Sequence, residues 1–494
     1  EAPTAEPPTA APPAAKPAPL RLPTNLAIDA FSIELQALQR LRNGIPLGPP
    51  AGMQLRLVAP WALRGEAIHA EPLQLQATAT VPPLLPTATV AVHLRPFALE
   101  PSFTADLQLG PLDTTQLGEQ FPASQELLLG RTDRLTITGQ LSGQLDLRRR
   151  DPLQFDLARP FGASLLLADL WISSGDAPPS LQFADAEIQI RSFVPRNGHL
   201  VVHRIDVLEP VLRAERSADG IEFAGICLRT PAADAGADPT AQTPIPAQPR
   251  TDAARLRLDL LRVLGLEIDW RDATTTPPTH LPIADLDVEL RGASSRMFVD
   301  AVPIELRIDA NGGAIDLDRR VTSSSVLAGV LGSTAKAVTM QRNQHQSESR
   351  PLFEQLSVQA DLVLAPVVDG TFRMRLDGFE LPALRGLVAP SGVQIADGVL
   401  AARLDGEFRG TAGGVVRSVP VFSHLSITEP PGGPISTYLR LPAPLDTVLF
   451  LLRNENGQQR LPIRVALDDH RLDPTTVRDA AVETIALLLS DAVG

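Results

Sequence analysis

The residues that could perform chemistry are sparse in this sequence, and their spacing does not converge on one site. His199 and His203 are four residues apart, which would suit a metal pair on a helix, but the residues around them alternate as in a strand. At about 3.3 Å per strand residue the two imidazoles would lie roughly 13 Å apart. That separation is too large for one ion, so we predict no metal site here.

A second candidate is an acidic cluster near the C-terminus, formed by Asp468, Asp469, His470 and Asp473. Asp473 precedes Pro474, and such a pair is typical of a helix start, so a turn and a helix cap explain the cluster most simply. A divalent cation site is the alternative.

The single cysteine, Cys227, has apolar neighbours, and the sequence contains no glycine-rich phosphate loop and no nucleophile elbow. We therefore predict no enzyme, no cofactor and no metal.

The composition narrows the class of partner. The 494 residues carry a formal net charge of −13, which disfavours nucleic acid, and no run of 18 apolar residues exists that could span a membrane as a helix. Hydrophobic residues make up 44% of the chain but aromatic residues only 4%. Leu, Val and Ala therefore have to supply most of the apolar surface.

Two proline-rich tracts divide the chain. Residues 1–19 are a Pro/Ala-rich linker, and residues 230–252 form a second Pro-rich linker or loop. They delimit an N-terminal β segment, 20–229, and a C-terminal β segment, 253–494. Within the latter, residues 319–350 form a polar loop that allows one short helix.

Period-two alternation dominates between these tracts, as in LTITGQLSGQLDL at 135–147. Strict alternation gives a strand one apolar face and one polar face. Asn-Gly and Asp-Gly pairs recur between the runs and favour tight hairpins, so most strands should be antiparallel neighbours. The residues that we predict on the apolar face are Leu135, Ile137, Leu141, Leu145, Leu147, Ile304, Leu306, Ile308, Leu356, Val358, Leu362, Leu364, Phe372, Met374, Leu376, Leu400, Leu404, Ile463, Val465 and Leu467.

Helix signals are few. Residues 447–453 should form a short apolar helix after Asp446, and residues 474–489 a terminal amphipathic helix with Val477, Ala481, Ile485 and Leu488 on one face. A helix is also predicted over 29–41. The sequence thus predicts an all-β fold, mainly antiparallel, with a few short helices.

The apolar strand faces need a cover. Sandwiches supply it with a second sheet and barrels by closure, usually with bulky aromatic residues in the core. A long sheet curled into a trough, with acyl chains along its Leu/Val/Ile face, suits this composition. An ordinary protein core is the alternative. About 30 strands at roughly 4.8 Å each would give a trough on the order of 140 Å long.

Three segments resemble the AsmA-like superfamily. They are HLVVHRIDVLEPVLRAERSADGIEF at 199–223, LGLEIDWRDATTTPPTHLPIADLDVELRG at 264–292, and the segment 439–489, whose LPAPLD, LLRNENG and DDHRLDP motifs resemble the C-terminal signature of one large branch. The resemblance covers 180–494 well and 20–180 only in general style. The chain departs from the family in lacking an inner-membrane anchor and in its longer Pro-, Ser- and Gln-rich loops.

The resemblance implies an elongated, taco-like hydrophobic β-groove in the periplasm that conducts phospholipid acyl chains between the inner and outer membranes, or supports outer-membrane assembly. The residues named above for the apolar face would then line the groove and contact phospholipid or another acyl-chain lipid. Because the chain begins with Glu1 rather than Met, we expect an anchor in the inner membrane through a segment that this chain does not contain.

Two other functions are weighed against this one. The first is a non-transporting structural or accessory subunit of a large cell-envelope complex, whose apolar face is covered by other envelope proteins; the long Pro-rich loops favour it. The second is a hydrolase or carbohydrate-binding β-repeat protein, which the scarcity of aromatic residues disfavours.

Overall fold

The computed structural model describes residues 26–493 with gaps at 39–40, 43–44, 47–49, 64–70, 83, 99, 115–130, 133, 151–152, 174–177, 219, 224–225, 230–254, 322–343 and 468–473. The linkers predicted at 1–19 and 230–252 lie outside the described residues, as does the acidic cluster at 468–473.

The N-terminal part consists of strands. They are β1 (Leu26–Ile28), β2 (Ser32–Leu38), β3 (Leu41–Arg42), β4 (Ile45–Pro46), β5 (Ala51–Leu57), β6 (Trp61–Leu63), β7 (Leu73–Val81), β8 (Leu85–Arg95), β9 (Ser102–Leu112), β10 (Leu135–Arg150), β11 (Leu153–Phe155), β12 (Phe161–Ile172), β13 (Leu181–Val194), β14 (His199–Leu208), β15 (Val211–Ser217), β16 (Gly220–Phe223) and β17 (Ile226–Arg229).

The C-terminal part adds further strands and four α-helices. They are β18 (Leu256–Asp272), β19 (Thr279–Ser294), β20 (Pro303–Gly312), β21 (Ala314–Val321), β22 (Gln344–Pro351), β23 (Gln355–Val363), β24 (Asp369–Glu380), α1 (Arg385–Val388), β25 (Gln394–Arg409), β26 (Gly414–Thr428), α2 (Pro434–Tyr438), α3 (Leu445–Leu451), β27 (Gln458–Arg460), β28 (Ile463–Leu467) and α4 (Pro474–Val493). Short 3₁₀ turns flank α1.

One curled sheet holds almost all of these strands. Its main series runs β2, β5, β7, β8, β9, β10, β12, β13, β14, β18, β19, β20, β23, β24, β25, β26 and β28. Every step is antiparallel except β14–β18. Among the described residues no backbone pairing joins β2 to β28, so the series has two ends. The predicted all-β, mainly antiparallel fold is confirmed.

The parallel step joins the two predicted segments, since β14 belongs to the first and β18 to the second. Glu209, with a φ of 47°, and Pro210 separate β14 from β15, and both strands pair in parallel with β18. β15 also forms two residue pairs with β13, so that β13, β14, β18 and β15 are joined in a ring by their strand pairings. The strand, proline and strand of the segment 199–223 are therefore one kinked strand. The predicted N- and C-terminal segments form one continuous sheet.

The buried apolar clusters lie at the two rims of the sheet, where the strands end. At the first rim, which contains the β8–β9, β13–β14 and β19–β20 turns, Leu145 packs with the rings of Phe103 and Phe161, whose centroids are 5.8 Å apart. At the second rim, Leu352 and Phe353 form one cluster, and residues around α1, α2 and α3 form another. The middle of the sheet holds no such cluster among the described residues.

Both short C-terminal helices are present where the sequence predicts them. The helix predicted at 447–453 is α3, which begins and ends two residues earlier, and the terminal helix is α4, which extends to Val493. Ile485, on its predicted apolar face, is buried.

Three predictions are corrected. The helix predicted at 29–41 is wrong, because β2 lies there and pairs with β5. Both flanks of the polar loop predicted at 319–350 belong to the hairpin β21–β22, whereas 322–343 lies outside the described residues. The described residues form 28 strands, close to the predicted number of about 30, but the predicted trough on the order of 140 Å is too long. Only 17 strands lie in the main series, because the others form side pairings or separate two-stranded sheets.

Candidate functional site

Directly paired residues form an apolar row that crosses the sheet from β2 to β28. Residues opposite each other in neighbouring strands point to the same face, so the row lies on one face. Row A consists of Leu35, Met53, Ala79, Ala88, Leu109, Ile137, Leu167, Ala186, Val207, Val263, Val288, Ile308, Val358, Met374, Leu404, Ser418 and Ile463. Ser418 is its single polar member.

A second row runs beside it on the same face, two residues further along each strand. Row B consists of Ile33, Leu55, Ala77, Val90, Leu107, Gly139, Leu165, Ile188, Ile205, Leu261, Leu290, Leu306, Ala360, Phe372, Gly406, Val416 and Val465. No member is polar. Sixteen steps of about 4.8 Å make each row about 77 Å long.

The residues between these rows point to the opposite face and are polar almost throughout. Row C consists of Glu34, Gln54, Thr78, Thr89, Gln108, Thr138, Leu166, Glu187, Asp206, Arg262, Glu289, Arg307, Gln359, Arg373, Asp405, Arg417 and Arg464. From Asp206 to Arg307 acidic and basic residues alternate, which is favourable between neighbouring strands. One face of the sheet is therefore apolar along its full width, and the other is hydrated.

The apolar face is only partly covered by the protein. Few members of rows A and B are buried, namely Ala88, Ala186, Ala360, Gly406 and Val465. All of these are small, whereas the larger Leu, Ile, Met and Phe side chains of both rows keep solvent-accessible surface. Side chains in a sheet that packs against a second layer would be mostly buried. The face is an open apolar groove between two rims.

The two ends of the groove differ. At the β2 end, Leu35 and Met53 are each 40% exposed. At the β28 end, Val465 and Leu467 are 4% and 3% exposed, and α4 packs against β28. The Thr484 hydroxyl of α4 donates to the Ala480 carbonyl of the same helix at 2.8 Å and lies 3.4 Å from the Pro462 carbonyl that precedes β28. The groove is thus wide open at its β2 end and covered at its β28 end.

The predicted groove residues fall largely on this one face. Nine belong to rows A and B: Ile137, Leu306, Ile308, Val358, Phe372, Met374, Leu404, Ile463 and Val465. Ile304, Leu362 and Leu467 lie on a parallel row nearer the first rim, and Leu141 lies two residues from Gly139 on the same side. Leu135, Leu356, Leu376 and Leu400 lie nearer the second rim.

Three predicted residues need separate mention. Leu145 is 3% exposed inside the aromatic cluster of the first rim, so it supports the rim rather than the floor. Leu364 follows the end of β23. The side chain of Leu147 lies outside the described residues.

Apart from Ile137, the predicted residues do not include the N-terminal half of both rows. Ala77, Ala79 and Ala88 contribute there, and alanine gives a weak alternation signal against the threonines of the opposite face. The parallel pair Val207 and Val263 was also missed. Its two members lie on either side of the proline-rich tract, so they leave no local pattern.

The polar face is stabilised by ion pairs around buried carboxylates. Arg262 Nε donates to Asp206 Oδ1 at 2.7 Å, and Arg204 pairs with the other oxygen of the same carboxylate. The hydrogen bond to Asp206 raises the pKa of Arg262 above its ordinary value. The pair between Arg262 and Asp206 joins β18 to β14, so it reinforces the single parallel step, whereas the pair between Arg204 and Asp206 lies within β14.

Asp272 ends β18 and organises the turn into β19. It is 2% exposed, and the backbone N–H of Thr274 donates to its Oδ1 at 2.9 Å. The Thr274 hydroxyl also donates to this oxygen, and Arg216 lies 3.4 Å from Oδ2. The Thr274 hydroxyl above all, with its N–H and Arg216, holds the pKa of Asp272 below its ordinary value against the opposing effect of burial.

This geometry predicts a pH-dependent contribution to stability. A carboxyl with a lowered folded pKa stabilises the fold above its unfolded pKa of about 4, and the contribution is lost as the pH falls through the folded value. We expect Asp272→Asn to lower the melting temperature at pH 7 and the difference from the wild type to shrink towards pH 2. Differential scanning calorimetry across this range checks it. A difference that stayed constant with pH would contradict the role of the charge.

The described residues contain no group of three or more His, Cys, Asp and Glu side chains arranged to hold a metal ion. His203 instead contacts Arg191 Nη2 at 2.7 Å through its Nδ1. None of the helices in the described part of the chain is both long and apolar enough to cross a membrane.

Comparison with known proteins gives no match: no family model, no curated protein and no solved structure is significantly similar to this chain.

Proposed function

We propose that this protein binds the acyl chains of phospholipids along rows A and B and transfers them through the periplasm, between the inner and outer membranes, as a member of the AsmA-like superfamily. The observation that carries the proposal is the apolar face itself. Rows A and B cross the main series of strands side by side with a single polar side chain, Ser418, and most of their large side chains remain accessible.

Exposure of such an apolar face to water is unfavourable in free energy. Each buried CH₂ contributes about 0.8 kcal/mol, so one acyl chain of ordinary length would contribute on the order of 10 kcal/mol on binding. A contiguous apolar surface that the protein itself does not cover indicates a ligand or partner. Acyl chains fit it without any specific polar contact, which agrees with the lack of polar residues in row B.

The uniformity of the rows suits transfer. A lipid that moves from one strand to the next exchanges one set of Leu, Val and Ile contacts for a similar set, so its free energy changes little along the groove. The charged headgroup stays in water beyond the rims. Such movement needs no catalytic residue and no cofactor, and its direction would depend on the lipid supply at the two ends.

Lipid extraction tests the proposal. We expect organic extracts of the purified full chain to contain phospholipid, and native mass spectrometry to show the protein with one or more lipids bound. The control is an unrelated acidic β-sheet protein purified in the same way from the same cells.

A purified protein that contains no lipid and also takes up none from vesicles would contradict the proposed transfer function. If such a protein were instead purified with another envelope protein along its apolar face, it would be the structural subunit considered as the alternative.

A further inference from the structure

β2 carries a free backbone edge, within the described part of the chain, at the open end of the groove. It is hydrogen-bonded to β5 on one side, and no described residue pairs with its other side. The apolar side chains at this edge are strongly exposed: Phe31 and Ile33 by 43% each and Leu35 by 40%. At β2, which forms this end of the sheet, no described residue covers the members of rows A and B.

The direction of the backbone groups at this edge follows from the ladder. Leu57 N donates to the Phe31 carbonyl at 2.9 Å, so Phe31 points its backbone polar groups towards β5. Alternate residues of an antiparallel strand do the same, and those between them point away. Ser32 and Glu34 therefore direct their N–H and C=O groups outward, ready to pair with another strand.

The opposite end of the sheet is protected. β28 has five residues, its apolar side chains Val465 and Leu467 are buried, and α4 packs against it. Proteins usually protect exposed edges with charges, prolines, bulges or covering elements. β2 carries one charged residue, Glu34, and no proline. The difference between the ends points to β2 as an edge that receives a partner strand.

We propose that β2 pairs with β2 of a second copy of this chain, antiparallel and about a twofold axis through Ile33. In this register Ser32 lies opposite Glu34 of the second copy, and the reverse pair repeats the contact. The outward backbone groups of both residues then form the hydrogen bonds. The serine hydroxyls can donate to the opposing carboxylates.

The side chains of the apolar face also match in this register. Ile33 meets Ile33, and Phe31 meets Leu35 on either side of the axis, so three exposed apolar residues of each copy gain an apolar neighbour on the adjoining strand. A twofold axis perpendicular to the sheet keeps both apolar faces on the same side. A register centred on Glu34 would instead place two carboxylates directly opposite each other, which is unfavourable.

The pairing joins row B of one copy to row B of the other. The two rows then form one continuous apolar row about 160 Å long, at about 4.8 Å per strand. The pairing depends on backbone groups and exposed side chains of β2, so it goes beyond the proposed lipid binding and is expected in lipid-free protein too.

Disulfide formation tests the register. In the full chain with Cys227→Ser, Ile33→Cys would place two thiols at a non-hydrogen-bonded pair with Cα atoms about 4.5 Å apart, which suits a disulfide. Leu55→Cys is the matched control, since Leu55 pairs with Ile33 on the same face one strand inward. Its two copies would be about 14 Å apart, three strand spacings. We expect mild oxidation to give a covalent dimer with the first variant and not with the second.

Charge substitution at Ser32 tests the contact in solution. Ser32→Lys should strengthen the dimer through two new pairs with Glu34, and Ser32→Glu should weaken it, each by roughly two- to thirtyfold in the dissociation constant. Sedimentation equilibrium of lipid-free protein measures this constant, and Ser32 is exposed, so both variants should fold.

Equal oxidation yields for the two cysteine variants, or a wild type that stays monomeric at all concentrations, would overturn the proposal. If Ser32→Lys weakened the dimer and Ser32→Glu strengthened it, or if both changed the dissociation constant equally, the proposed register would be wrong. None of these outcomes bears on whether lipid is bound.

Discussion

Val358→Asp is expected to reduce phospholipid transfer between donor and acceptor vesicles on the order of 100-fold. Val358 lies in row A between Ile308 and Met374, near the middle of the C-terminal half of the groove. A carboxylate there would face the acyl chain, and placing an aspartate in hydrocarbon costs roughly 2.5 to 3.5 kcal/mol. Every lipid that moves along the groove would have to pass this point.

Gln359→Asp provides a matched control on the same strand. Gln359 lies in row C on the polar face, directly between Arg307 and Arg373, so a carboxylate is well placed there. We expect this variant to transfer lipid at the wild-type rate and to be at least as stable. Equal transfer by the two variants would show that lipid does not move along rows A and B.

Leu352→Ala is expected to lower the free energy of unfolding by about 2 to 5 kcal/mol, as for other fully buried leucines. Leu352 is 2% exposed and packs with Ala310, Ile315 and Phe353 at the second rim. Truncation would leave a cavity among side chains that hold the strand ends together. Urea unfolding of the lipid-free protein measures the loss.

Leu306→Ala, in row B on β20, is the informative comparison. Leu306 keeps solvent-accessible surface and faces the open groove, so its truncation removes apolar contact without enclosing a cavity. Only a fully buried leucine side chain contributes more than about 1.5 kcal/mol. We therefore expect the free energy of unfolding of the lipid-free protein to fall by less than this amount. A loss as large as that of Leu352→Ala would mean that protein side chains fill the groove, as in a compact sandwich.

The sequence predicts the C-terminal strands well because their alternation is strong. Val358, Met374 and Leu404 were each assigned to the apolar face from a local run, and the structure pairs them directly in row A. In such strands a slip of one residue would move every apolar side chain to the polar face, so the register is fixed by the pattern alone.

Elsewhere the pattern is insufficient. Residues 29–41 have apolar positions that suit a helix as well as a strand, and pairing with β5 decides the outcome. The Ala- and Thr-rich strands β7 and β8 offer little contrast between their faces. The parallel step from β14 to β18 depends on contacts between residues that are far apart in sequence, on either side of the proline-rich tract. The exposure of the groove depends on the lack of a covering layer among the described residues. Neither property is local.

Photo-crosslinking with a lipid tests most directly whether acyl chains occupy the apolar face. Val288 of row A and Glu289 of row C are adjacent on β19 and point to opposite faces. With a benzophenone side chain at either position and phospholipid labelled in its acyl chains, we expect a covalent lipid adduct at 288 and none at 289. Adducts at neither position, or equally at both, would contradict an acyl-chain groove on this face.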